Sequence, residues 1–100
     1  MNFYKSKEWL KAKECRLRID SYQCQLCKRK GKSKGATHVH HIKPLKWCVD
    51  NDRSMLYSTK NLISLCVSCH NSMHNRSNDK LTRQGLDLVK RIFGVAPPLS

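Results

Sequence analysis

Acidic residues are scarce in this chain. Seven Asp and Glu stand against twenty Lys and Arg, for a formal net charge of +13, so the natural partner is a polyanion. Long apolar runs are absent: nothing approaches the roughly 18 consecutive apolar residues of a membrane span. The opening Met-Asn-Phe-Tyr-Lys-Ser-Lys-Glu-Trp is charged and lacks the apolar stretch of a signal peptide. The expectation is a protein that neither spans a membrane nor is secreted, in a reducing, intracellular (cytoplasmic) compartment. Repeats and low-complexity tracts are missing as well, and 100 residues suit one small domain over 1–100. Apolar side chains are few. Leu, Ile, Val and Phe number 22, just above the level of about one fifth under which chains tend to be disordered. A core this thin is commonly stapled by disulfides or metal.

Six Cys and five His supply the staple. Cys24-x-x-Cys27 and Cys66-x-x-Cys69 are two knuckle pairs, each able to turn two thiolates toward one ion, and together they predict a structural zinc site. Two disulfides, or a redox dithiol in either pair, are the alternatives; a reducing compartment favours metal. The 38 residues between the pairs exceed the 15–20 or so of a simple ribbon and contain His38, His40 and His41. A two-Cys, two-His finger is excluded, because His40 would need a second His at 44, 45 or 46, where Pro44, Leu45 and Lys46 stand. A zinc deaminase is excluded by the absence of His-x-Glu and Pro-Cys-x-x-Cys. Cys15 and Cys48 have no partner at knuckle spacing and read as buried or free thiols.

Along the chain, Ser6 caps an expected helix over 7–19, with Trp9, Leu10, Leu17, Ala12 and Cys15 as a broken apolar stripe. Lys28, Arg29, Lys30, Lys32 and Lys34 form a basic, Gly-punctuated loop, with the first helix the other candidate for phosphate contact. Residues 36–42 read as a strand ended by Pro44, 45–60 as irregular with a helical turn or two, and 61–65 as a second strand. A helix at 68–75 and a last one from Asp79 or Thr82 to Phe93 follow, the latter with Leu86, Val89, Ile92 and Phe93 inward and Gly94 and Pro97 as stops. Gly85 blurs its start.

His40 and His41 adjoin in a strand, so their side chains are expected on opposite faces. That favours one ligand and one free imidazole. His70 and His74, at i and i+4, fall on one helix face, a spacing suited to chelating a divalent ion.

His40-His41, Asn61 before Leu62, and Cys69-His70 with His74 together resemble the HNH nuclease family, in its four-cysteine zinc branch. The resemblance runs from about Tyr22 to His74, and the flanks are similar to those of small, phage-type members. It implies an α+β fold, a zinc-stapled ββα-metal (His-Me) finger, with flanking helices at about 6–19 and 79–93 around a motif core of about 22–75. It implies a DNA endonuclease that hydrolyses phosphodiester bonds, by nicking or double-strand cutting, to leave 5′-phosphate and 3′-hydroxyl ends. By position, His41 matches the general base, Asn61 the orienting residue, and His40 and His70 the ligands of a catalytic divalent cation (Mg2+, Mn2+, Ni2+ or Zn2+). His74 matches a further ligand present in some members. His38 lies outside the motif and is expected at the surface or against phosphate. A terminase partner in DNA packaging is implied by the small phage relatives alone. A non-catalytic zinc module that binds nucleic acid would explain the knuckles and the charge, but not these histidines and Asn61 at family spacing.

Overall fold

The computed structural model describes residues 3–75 and 80–94. Helix α1 (Lys7–Ile19) starts where the Ser6 hydroxyl accepts the Trp9 amide N–H at 3.2 Å, which satisfies a donor that the helix itself cannot. It buries Trp9, Ala12 and Leu17. Leu10, expected inward, is 52% exposed, and Cys15 is exposed too; Leu10 sits one residue, about 100° of helix turn, off the buried stripe.

Strand β1 (His38–His41) pairs antiparallel with β2 (Leu62–Leu65), His38 opposite Leu65 and His41 opposite Leu62. Helix α2 (Gln25–Arg29) precedes β1, and the connection to β2 holds α3 (Leu45–Asn51) and two short 3-10 turns, Arg53–Leu56 and Thr59–Asn61. After β2 come α4 (Val67–Asn71) and α5 (Arg83–Phe93). The two faces of the sheet serve two cores, as strand alternation requires. Val39 and Leu62 pack with Trp9, Ala12 and Leu17 of α1. Ile63 and Leu65 pack with the cysteines, Met73, Leu88 and Val89 on the other side.

Asp20, just past α1, locks that helix to β2. Its carboxylate takes two hydrogen bonds from Arg16, at 2.9 and 2.7 Å, and one from the Ser64 backbone N–H at 3.0 Å, while Arg16 also donates to the Thr59 carbonyl. Helix α5 is capped by Thr82, which accepts the Gly85 N–H, and closed by Gly94 in the left-handed region at φ 84°. Its inward face is Gly85, Leu88 and Val89. Ile92, expected inward, is 40% exposed at the rim of an outer groove, while Phe93 of the same turn packs against the core. Asp79 and Pro97 lie outside the described residues. Among the described residues, no helix is long and apolar enough to cross a membrane.

Candidate active site

The two knuckles meet. Donor atoms of Cys24, Cys27, Cys66 and Cys69 all lie within 4.8 Å of one another, with Cys27 Sγ 3.9 Å from Cys66 Sγ and 3.8 Å from Cys69 Sγ. Four sulfurs arranged tetrahedrally at the Zn–S distance of about 2.3 Å stand about 3.8 Å apart, so this pocket fits a zinc ion, and all four cysteines are free of disulfides. The Cys69 backbone N–H brings the Cys66 thiol down to about 7. Burial and the neighbouring sulfurs push Cys69 up to about 12. Four thiols in one pocket shed protons one at a time, and a cation is what removes the last.

The Cys66–Cys69 knuckle starts α4, and α4 presents His70 toward β1. A second donor set results: ring nitrogens of His40, His70 and His74 come within 4.8 Å of one another. His40 is 1% exposed, and its Nε2 is buried with no hydrogen-bond partner. A buried polar atom left unpaired is costly, and a metal ion is what this one fits. Burial, with His74 and His70 alongside, holds His40 down to about 3; burial also lowers His70. Both are therefore neutral imidazoles with lone pairs to offer. The expected helix to residue 75 ends at Asn71 instead, where Ser72 turns back on the Cys69 carbonyl. His74 reaches the cluster from a bridge to Leu81, so its i+4 spacing works through a turn. His38, expected at the surface or against phosphate, is half-buried, and its ring stacks on His70 at 4.9 Å. That approach depends on how α4 meets β1, for which the sequence carries no local signal.

His41 points to the other face. Its ring stacks on Trp9 at 4.8 Å, and its Nε2 lies 3.0 Å from the Leu56 carbonyl oxygen. A carbonyl only accepts, so Nε2 carries the proton and Nδ1 is left with the lone pair. Burial lowers the His41 pKa, against the raising effect of that carbonyl. Asn61, fully buried, ties the connection together. Its Oδ1 accepts the Lys43 N–H at 2.7 Å, and its Nδ2 donates to the Lys43 and Met55 carbonyls at 3.1 Å and to Cys48 Sγ at 3.4 Å. Met55 precedes Leu56, so the Asn61 bonds hold the stretch on which His41 rests. Cys48 is buried here; Cys15 is an exposed thiol.

His38, His40, His41, His70 and His74 line one cleft between α1, α3 and α4. The cations lining it are Lys13, Lys46 and Lys80. Lys28, Arg29, Lys30, Lys32 and Lys34 do not line it; Lys28 and Arg29 instead edge a smaller groove with Lys60 and Ile92.

Two antiparallel strands, a knuckle-anchored helix and imidazoles converging from both define a small ββα-metal finger of the zinc-stapled kind. The HNH endonuclease family matches residues 24–76. The chain is also similar to a solved structure, the HNH endonuclease of the deep-sea thermophilic bacteriophage GVE2 with a manganese ion, at 40% sequence identity and a TM-score of 0.61, over 69% of this chain and 71% of that one. No curated protein matches it. The chain belongs to the HNH endonuclease family, and its activity is that of a metal-dependent nuclease, a phosphodiester hydrolase.

Proposed function

We propose that the chain is a DNA endonuclease in which His41 is the general base, His40, His70 and His74 hold one divalent ion, and the four cysteines hold a structural zinc. The observation that carries this reading is the division of β1: on one face an orphaned, buried His40 Nε2 among imidazoles, on the other a His41 whose tautomer is set by the Leu56 carbonyl. With Nε2–H committed to that carbonyl, Nδ1 takes the proton from an attacking water, and stacking on Trp9 limits rotation of the ring. Asn61 acts at one remove, holding Met55 and thereby the Leu56 carbonyl in place. The bound divalent ion would neutralise charge on the phosphoryl oxygens and the departing 3′ oxygen. Neutral His40 and His70 suit a ligand role, and the manganese of the GVE2 enzyme favours Mn2+ among the candidates.

The duplex or strand is held through its phosphates by the cleft lysines, with Lys28, Arg29, Lys30, Lys32 and Lys34 extending the basic surface beyond the cleft; phosphate contacts of this kind carry little sequence preference. The whole chain, 1–100, acts as one domain. Likeness to a phage enzyme favours a phage protein acting in the host cytoplasm, with terminase as its partner in DNA packaging. The test is supercoiled plasmid incubated with purified, zinc-loaded protein in Mg2+, Mn2+, Ni2+, Zn2+ or EDTA. Conversion to nicked or linear DNA in at least one ion and none in EDTA is expected. Folded protein that cuts neither plasmid nor single-stranded DNA in any ion would sink the proposal.

A further inference from the structure

The cleft is larger than its chemistry requires. At about 970 Å3 it lies at the upper end of small-molecule sites, whereas one ion and one phosphate fill a small part of it. Its walls beside the histidines are apolar and aromatic. Tyr4 and Leu10, 51% and 52% exposed, line it near α1, and Leu45 and Trp47 line it from α3. The Tyr4 ring packs edge-to-face with Phe3 and Trp9 and lies 6.5 Å from His41. The Trp47 ring is backed by the Lys43 ammonium at 4.6 Å, itself 4.2 Å from the Phe93 ring. Neither Lys43 nor Phe93 lines the cleft, so this support comes from behind. Lys13, Lys46 and Lys80 add positive charge to the same walls, Lys46 being paired with Asp50.

An intact duplex makes poor use of such rings, because its base faces are stacked inside and it presents phosphates, sugars and groove edges. An unpaired strand exposes base faces, and a basic groove with aromatic platforms binds it with little sequence preference. We infer that this cleft takes an unstacked nucleotide beside the scissile phosphate, on Tyr4 and Trp47, so that single-stranded, flapped or bulged DNA is a better substrate than intact duplex. The inference rests on the nuclease reading above, and its test separates the two.

Short single strands and blunt duplexes of the same sequence are titrated at matched salt without divalent ion, following anisotropy and tryptophan emission. The single strand should bind about fivefold or more tighter and quench emission, given the contribution of base–aromatic stacking. Trp47→Phe should remove most of the quench, since Trp9 is buried. Tyr4→Ala should weaken single-strand binding by about fivefold while moving duplex binding less than about twofold, and Tyr4→Phe should restore it. The same substrates and a bulged duplex are then cut in Mn2+, where kcat/KM should favour unpaired DNA and the Tyr4→Ala loss should fall mainly on KM. Equal affinity for both forms, or equal losses on both in the variants, overturns the inference. Strand preference without cleavage in any ion supports it and counts against the nuclease reading.

Discussion

His40 and His41 are neighbours with opposite surroundings, and the pleat alone accounts for it. Successive side chains of a strand leave opposite faces, so His40 joins His70 and His74 while His41 meets Trp9 and the Leu56 carbonyl. That much was legible in the sequence, because it depends on a period of two and on knuckle spacing. The choice of proton on His41 was not: it comes from a carbonyl fifteen residues away. His38 beside His70 was hidden for the same reason. Asn61 is the residue on which the connection depends most. Asn61→Ala strands the Lys43 N–H and the Met55 carbonyl at a half-buried site and leaves the Lys43 carbonyl only the Cys48 thiol, so it should cost about 2–3 kcal/mol in urea unfolding. Its folded fraction should also cleave DNA more slowly, as the Leu56 carbonyl loses its anchor. A variant with wild-type stability would show that these bonds are dispensable.

Helix starts were readable where a side chain supplies the cap. Ser6 and Thr82 stand at the N-caps of α1 and α5, and Gly94 closes α5. Faces were less readable, since Leu10 and Ile92 carry apolar side chains outward for want of a neighbouring element to cover them. Gly85, which blurs the start of α5 in sequence, has a packing reason. A Cβ there would come 2.5 Å from the Met73 carbonyl oxygen and 3.2 Å from Leu81 Cβ, so α5 approaches the turn that carries His74 at backbone distance. Gly85→Ala should therefore destabilise the protein by about 1–3 kcal/mol through overpacking, although Ala is ordinarily the better helix former by about 1 kcal/mol. Thermal unfolding checks this, and a variant that melts at or above the wild-type temperature would contradict it.

The clamp between α1 and β2 makes a pH prediction. Burial alone would raise the Asp20 carboxyl, but Arg16 and Ser64 outweigh it and hold the pKa below the ordinary value. A depressed carboxylate stabilises the fold fully above its unfolded pKa of about 4 and loses that contribution as pH falls through the lower, folded value. Asp20→Ala should then cost about 2–3 kcal/mol at neutral pH. The gap from wild type should close in acid. Urea unfolding at a series of pH values checks this, and a gap that widens toward acid would contradict the clamp.

For the molecule as a whole, composition pointed to a polyanion partner, which the family's action on DNA supports, and to a metal staple, for which four converging cysteines supply the donors. A thin apolar complement gives two cores around a two-stranded sheet little to spare, and Cys24, Cys27 and Cys66 sit inside the larger of them with Cys69 packed against it. Metal binding energy is then folding energy. Chelation, or Cys69→Ser, should release one zinc ion and abolish the helical circular dichroism signal; a folded, metal-free chain would contradict this. What composition could not foretell is where charge lies relative to the cleft. Lys28, Arg29, Lys30, Lys32 and Lys34 look like the phosphate-binding loop in sequence, yet the cleft takes its lysines from α1, α3 and the approach to α5. Proximity in the chain to Cys27 says nothing about which edge of the sheet the loop faces.

The central claim is that one strand separates the base from the ligand, and cleavage by His41→Ala and His40→Ala over a Mn2+ series tests it most directly. Both variants are first checked for bound zinc and fold. His41→Ala should be slower by about 10²–10⁴-fold at every Mn2+ concentration, since no amount of ion replaces a positioned base. His40→Ala should be slow at low Mn2+ and recover in part as the ion is raised. His41→Ala cutting plasmid at the wild-type rate, or recovering with Mn2+ while His40→Ala does not, would contradict the account.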